Sequence, residues 1–270
     1  MTIADQIDRN QFERDGYFIV NDILSNHELS CAGALFDAWL PADAQPPLVS
    51  GEKGVQLNGR KALMAQFCEP HLANFAGHPR LIEAADALLG SPLRIHQAPV
   101  PVATHKSPPG AENFDLGYHV DWPHNPPEPG DERYVNCVLH FSTVEPGGGA
   151  FMLRPGSHQF VEQYLADPAL RARVLAQDFN NLPGLPEPME MCVPAGSAVF
   201  FHAFLVHDRS ENVRDAPRQV MFVHFLKCDD PVPLDASTED SASRFHADHV
   251  RAMDDRMKKL CGIQPRRTTL

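Results

Sequence analysis

The triplet His119-Val120-Asp121 brings an imidazole and a carboxylate within one residue of each other, and both are donors for a divalent metal. On extended backbone, residues i and i+2 point to one face, roughly 7 Å apart along the strand, so the two can converge on one ion. The triplet lies in such a run, between Gly117 and Pro123. A second His-x-Asp, His246-Ala247-Asp248, falls in a helical pattern, where i and i+2 diverge by about 200° and chelation is disfavoured. The chain holds 14 His, so neither triplet is diagnostic alone.

A third ligand must come from elsewhere, and His202, His207 and His224 all lie in later strand-like runs. His207 closes the run AVFFHAFLVH just before the polar turn Asp208–Asn212, where a sheet has its mouth. His202 has the opposite parity, so in one regular strand only one of the two faces the site. His202 and His224 read as hydrogen-bonded interior or rim histidines. Two imidazoles and one carboxylate with open positions opposite form the facial arrangement of non-haem Fe(II) oxygenases, although zinc accepts the same donors. Past the turn, Arg218 opens the run RQVMFVHFLK. A guanidinium at a strand start facing the same cavity would grip a carboxylate in a bidentate fork.

The elements that must position these groups divide in character. Residues 3–15 read as an amphipathic helix, followed by a strand over Tyr17–Asn21 and a helix from Asn26 to Leu40 capped by Ser25 or Asn26. A further helix over Pro79–Leu89 stops at Gly90 with Pro92 beyond it. From Leu93 to Lys227 come short β-type runs separated by Gly/Pro clusters, the pattern of an antiparallel sandwich or barrel. Phe160–Ala176 interrupts them as a helical insertion, and a charged helix is expected over Ser241–Leu260. The expected plan is one domain, 1–270: a mostly helical part over 1–92, a β core over 93–228 with its insertion near 160–176, and a helical tail over 229–270.

Composition bounds the function. A chain of 270 residues, 43% of them hydrophobic, can build its own core without a staple. A net charge of −12 argues against a dedicated nucleic-acid binder, and no apolar run is long enough to span a membrane. The start lacks the apolar block of a signal peptide, and six scattered Cys without a Cys-x-x-Cys pair read as reduced thiols in a cytoplasmic protein.

Taken together, these residues resemble the phytanoyl-CoA dioxygenase family of Fe(II)/2-oxoglutarate-dependent oxygenases. The opening QFERDGYFIVNDILSNHEL, the metal pair His119/Asp121, the turn GGGAFMLRPGSH (Gly147–His158) and the block FFHAFLVHDRSENVRDAPRQ carry the likeness in order along most of the chain. The resemblance implies a mainly β protein with flanking helices, its core a double-stranded β-helix (jelly-roll, cupin-like). It implies that His119, Asp121 and His207 bind Fe(II), and that Arg218 holds the far carboxylate of 2-oxoglutarate, with Lys106 directed towards that cosubstrate. The activity implied uses O2 to hydroxylate a C–H bond of a small molecule, releasing succinate and CO2. A carboxylate at 121 favours oxygen insertion, because related halogenases have Gly or Ala there.

Two positions depart from the pattern: Arg154 precedes Pro-Gly-Ser-His where an apolar residue is usual, and Gly196-Ser197 replaces a frequent Gly-Asp. Pro155–His158 is expected to shape a turn beside the site. Trp122–Asp131 and His158–Pro188 are the expected lid elements, with Tyr118, Trp122 and Phe204 lining the pocket. The β region lacks the basic cluster that a CoA phosphate would call for. Two other readings keep the scaffold: a zinc-dependent cupin-like hydrolase or isomerase, which would leave Arg218 without a carboxylate to bind, and a non-catalytic binding protein, whose signature would be a missing ligand.

Overall fold

The computed structural model describes residues 2–39, 55–57, 60–62, 70–90, 93–95, 99–107, 117–121, 134–227, 250–251 and 253–263. The expected helix over 3–15 is two pieces, a 3-10 turn at Ala4–Gln6 and helix α1 at Arg9–Asp15. Asp8 causes the break: its extended backbone turns the carboxylate back to accept the Gln11 N–H, which starts a new helix. Strand β1 (Tyr17–Val20) follows, then α2 (Asn26–Trp39). At the head of α2, Ser25 and Glu28 form a capping box, each backbone N–H donating to the other's side chain. Two short strands that the helical reading of 1–92 did not anticipate, β2 (Val55–Leu57) and β3 (Arg60–Ala62), form a hairpin. Helices α3 (Pro70–Asn74) and α4 (Pro79–Leu89) complete this part.

The β region then runs β4 (Leu93–Ile95), β5 (Val100–Thr104), β6 (Tyr134–His140) and β7 (Phe151–Leu153). The helical insertion is two helices, α5 (Ser157–Ala166) and α6 (Pro168–Leu175). Pro168 disfavours helical backbone at Asp167, whose side chain instead caps α6 by accepting from the Ala169 N–H. Strands β8 (Met189–Met191), β9 (Ala198–His202), β10 (His207–Arg209) and β11 (Arg218–Lys227) follow. The tail contributes α7 (Asp255–Leu260); His246–Asp248 lies outside the described residues.

All strand pairing within these elements is antiparallel. One sheet runs β1-β9-β6-β11-β5-β3-β2, with β4 also on β11, and a smaller sheet runs β10-β7-β8. The two stack as the faces of a jelly roll and do not close into a barrel. The large sheet is buried on both faces, which explains why β6 and β11 carry apolar residues at both parities instead of alternating with exposed polar ones. Cys137, Phe200, Val223 and Phe225 pack under the helices with Phe36 and Leu81. Val138, Val199, Phe201 and Val220 point the other way, against Phe151 and Leu153 of the small sheet. The inward parity on β6 therefore also takes Asn136 and His140, and on β11 Arg218 and His224.

The run AVFFHAFLVH is not one strand. It is cut at Ala203–Phe204, so the parity argument separating His202 from His207 does not apply. His202 ends β9 with its N–H donating to the carbonyl of Gly16, and its ring lies 5.0 Å from that of His158. The Pro-Gly-Ser-His turn binds both neighbours. Gly156 N–H donates to the Asp15 carbonyl, the His158 ring contacts the Glu13 carbonyl through Nε2, and Ser157 Oγ accepts the Val206 N–H. Gly16 is essential to this junction. Its φ is +77°, and a Cβ there would lie 2.4 Å from His158 Nδ1 and 2.7 Å from a Leu205 methyl.

Gly16→Ala combines left-handed strain with overpacking and is expected to cost about 2–5 kcal/mol in urea unfolding. Burial, reinforced by neighbouring His158, pushes the His202 imidazole down to about 3. The unfolded chain therefore binds a proton there that the folded one refuses, so stability falls as pH drops from about 6.5 towards 3, by at most about 1.4 kcal/mol per pH unit for this group. His202→Phe should flatten that slope in thermal unfolding measured across the range.

Candidate metal centre

His119, Asp121 and His207 meet. One ligand atom from each lies within 4.8 Å of the others, the only such group of His, Cys, Asp and Glu among the described residues. His207 Nε2 is 3.2 Å from Asp121 Oδ2, and His119 Nε2 is 3.8 Å from Asp121 Oδ1. The segment carrying His119 and Asp121 is not a strand of either sheet; it makes one isolated bridge, to His207. There the two histidines exchange both backbone hydrogen bonds at 2.9 Å.

The rest of the segment is held by side-chain amides. Gln177 Oε1 accepts the Val120 N–H at 2.9 Å and its Nε2 donates to the Val120 carbonyl at 3.3 Å. Asn136 Nδ2 donates to the Asp121 carbonyl, while its Oδ1 lies 2.7 Å from His224 Nδ1. With its backbone groups thus paired, the loop holds its shape without a strand ladder.

Both imidazoles are oriented the same way. His119 Nδ1 lies 2.8 Å from the Gly117 carbonyl and His207 Nδ1 lies 2.8 Å from the Leu205 carbonyl. A neutral imidazole has one N–H, and a carbonyl facing Nδ1 claims it. The Nε2 lone pairs then face the lone pairs of the Asp121 carboxylate, an arrangement that a shared cation makes favourable. When protons rather than a metal sit on the Nε2 atoms, burial raises the Asp121 pKa, but the hydrogen bond from His207 and the charges of His207, His119 and His224 outweigh it and hold the carboxyl well below its usual range. Burial and the neighbouring His207 ring lower His119, against the pull of Asp121. Both shifts keep these donors deprotonated and available to a metal.

Arg218 is 2% exposed, at the start of β11 on the inner face. Its strand partner across the sheet is Thr104, whose hydroxyl is buried without a hydrogen-bond partner. Asn212 ties the end of β5 to the turn before β11, donating to the carbonyls of Thr104 and Ala216. On the other side, His140 is fully buried with neither ring nitrogen hydrogen-bonded. Burial, then the Arg218 charge, pushes its imidazole down to about 3, so the ring is neutral. This hydroxyl, guanidinium and imidazole suit a buried anion better than a cation.

The family described as Phytanoyl-CoA dioxygenase (PhyH) matches residues 12–220. The chain belongs to the phytanoyl-CoA dioxygenase family. It is 26% identical over 241 residues to an ectoine dioxygenase of Bordetella bronchiseptica, covering 82% of this chain and 74% of that protein. It is 29% identical over 240 residues to the ectoine dioxygenase of Stutzerimonas stutzeri, covering 82% and 76%. Among solved structures, the α-ketoglutarate-dependent epimerase SnoN from nogalamycin biosynthesis superposes with a TM-score of 0.62 at 22% identity, over 83% of this chain and 80% of that one. EctD from S. alaskensis with 2-oxoglutarate and 5-hydroxyectoine gives 0.56 at 19% identity, over 81% and 74%. These structures share the jelly-roll fold.

The remaining residues expected at the site are placed differently. Lys106 is exposed and pairs with Asp215 at 2.8 Å. Tyr118 lies under the Arg154 guanidinium, 4.4 Å from the ring centroid, while Arg154 Nη1 donates to the Pro186 carbonyl. Arg154 thus ties the His119 segment to the stretch after α6. Phe204 is buried in the cluster beneath α5 and α6, beside Val120 and Val206. Trp122 and the loop Trp122–Asp131 lie outside the described residues. Gly196 and Ser197 bind the N-terminal part: the Gly196 carbonyl accepts from Ile23 and Leu24, and Ser197 Oγ donates to Asn21. Gln177, Asn136, Thr104 and His140 were not singled out from sequence; His140 comes beside Arg218 only through the register of β6 on β11, and nothing local marks Gln177.

His119→Ala is expected to lower Fe(II) affinity by more than about 100-fold, and Gln177→Leu, which leaves every ligand in place, by about 10- to 100-fold. Chelator competition with metal analysis checks both.

Proposed function

We propose that His119, Asp121 and His207 hold Fe(II), that Arg218 with Thr104 binds the distal carboxylate of 2-oxoglutarate, and that the substrate is a small molecule hydroxylated at a C–H bond. The protein is an Fe(II)/2-oxoglutarate-dependent dioxygenase of the family to which the chain belongs. The observation that carries the residue assignment is the convergence of three ligand atoms, with both histidine Nδ1 atoms committed to backbone carbonyls. When bound, the iron with 2-oxoglutarate and O2 supplies the oxidising chemistry, in which the keto acid becomes succinate and CO2 and one oxygen atom enters the substrate.

The protein's own contribution is position and electrostatics. The reciprocal bridge and the Gln177 and Asn136 amides hold the three ligands together. Arg218 offers a fork of N–H donors with its charge shielded from water, where a carboxylate is gripped more firmly than at a surface. Val102, Phe151, Phe201 and Val220 surround the space between the sheets with apolar groups and keep water from the reacting centre. Asp121 occupies a metal position with oxygen, which supports hydroxylation over halide transfer.

The substrate reading draws on the relatives, which are named ectoine dioxygenases. A zinc hydrolase or isomerase finds no support among the relatives, and no ligand is missing as in a non-catalytic binder. Residues 1–270 read as one oxygenase domain, because Ile3, Met257 and Cys261 share one core cluster. No helix among the described residues is long and apolar enough to cross a membrane. The cysteines described, Cys31, Cys137, Cys192 and Cys261, are free thiols, which supports a reducing, cytoplasmic setting.

A library of small metabolites incubated with the Fe(II) enzyme, ascorbate and 2-oxoglutarate is expected to contain one that raises succinate release and gains a single oxygen atom by mass. Tight zinc occupancy with no 2-oxoglutarate consumption under any substrate would overturn the assignment.

A further inference from the structure

We infer that His140 is a ligand of the cosubstrate, donating an imidazole N–H to the distal carboxylate of 2-oxoglutarate beside the Arg218 fork. The inference rests on the assignment of Arg218 as the anchor of that carboxylate. Strand β6 holds a conflict. Outside a polar network, the inward positions of a strand between two packed sheets favour apolar side chains, and Val138 obeys that rule next door. His140 is fully buried, and neither of its nitrogens has a hydrogen-bond partner. The carbonyls of Val138 and Ser197 approach the ring without reaching hydrogen-bond geometry. Burying an imidazole with both nitrogens unmatched costs roughly 1–3 kcal/mol per lost bond, so a position kept only for packing would be better served by an apolar ring.

The neighbours specify the missing partner. Across the sheet His140 opposes Val220, two positions along the inner face of β11 from Arg218, and the two side chains interact electrostatically. A cation that close disfavours a proton on the imidazole. The ring therefore stays neutral, with one N–H to give, and it adds no second positive charge. On the far side of Arg218, Thr104 Oγ1 is likewise buried without a partner. A carboxylate has two oxygens and about four lone-pair sites. The guanidinium fork fills two of them, and one imidazole N–H and one hydroxyl fill the rest. A dication would be repelled by the Arg218 charge. An anion is drawn to it, and its several acceptor sites can receive the His140 N–H and the Thr104 hydroxyl together.

Anaerobic calorimetry on the Fe(II)-loaded protein tests this with two keto acids, 2-oxoglutarate and pyruvate. Pyruvate offers the same keto-acid chelate to the metal but lacks the distal carboxylate. His140→Phe is expected to weaken 2-oxoglutarate by about tenfold or more, as for a hydrogen bond to a charged group, and to leave Fe(II) and pyruvate binding unchanged. His140→Gln, which keeps an N–H donor, is expected to recover part of the loss. Wild-type 2-oxoglutarate affinity in His140→Phe, or equal weakening of both keto acids, overturns the inference and leaves His140 a packing residue. If the Phe variant does not fold, the same comparison of the two keto acids in His140→Gln and His140→Ala decides: 2-oxoglutarate must weaken more in Ala than in Gln, with pyruvate unmoved. Arg218→Gln serves as the separate control. If 2-oxoglutarate binding survives that change, the anchor assignment itself fails, whatever His140 does.

Discussion

The centre depends on one reciprocal contact. His119 and His207 exchange both backbone hydrogen bonds, and each ring then turns its Nδ1 to the carbonyl two residues before it, Gly117 and Leu205. The bridge brings together chain segments that are remote in sequence, with His207 and Asp121 86 residues apart. Three side chains that met only on binding a metal would have to lose their freedom at that moment. Here the backbone has already lost it, so metal affinity is not reduced by ordering the ligands. The surrounding contacts serve this bridge: Gln177 and Asn136 hold the residues after His119, and Ser157 holds the N–H of Val206 just before His207.

The large sheet divides the molecule's two tasks between its faces. Under the helices its buried positions are mainly apolar and supply stability through burial. Towards the small sheet it places Asn136, His140, Arg218 and His224 among Val138, Val199 and Val220. Such groups are expensive in a core unless each has a partner. Asn136 and His224 satisfy one another and, through Asn136, the loop that carries Asp121. Thr104 and His140 lie around the Arg218 charge instead. The polar inner face is thus two separate sets of groups on shared strands, one supporting the metal ligands and one suited to an anion.

Much of the architecture was legible in local pattern. The bounds of α4 and β11, the cap of α2 and the Gly90 stop follow from signals that act within a few residues, and tertiary packing had no reason to override them. Where the reading went astray, a short-range competitor was the cause. Asp8 recaps the first helix, Pro168 splits the insertion, and a turn at Ala203–Phe204 divides a run that looked like one strand. The hairpin β2–β3 is too short to carry a periodic signal, and it pairs with β5, far along the chain.

What the sequence determined by itself was chemical inventory: a carboxylate and imidazoles in the right types and order, an arginine after the last of them, and strands of period two able to aim them. What only the tertiary structure decided was which groups meet. It set His202 against His158 and His207 against Asp121, left Lys106 at the surface with Asp215, and put His140 beside Arg218. Spacing along a chain constrains only neighbours within a turn or a strand. Pairing between strands is set by the burial of whole sheet faces, an energy summed over residues that carry no chemistry of their own.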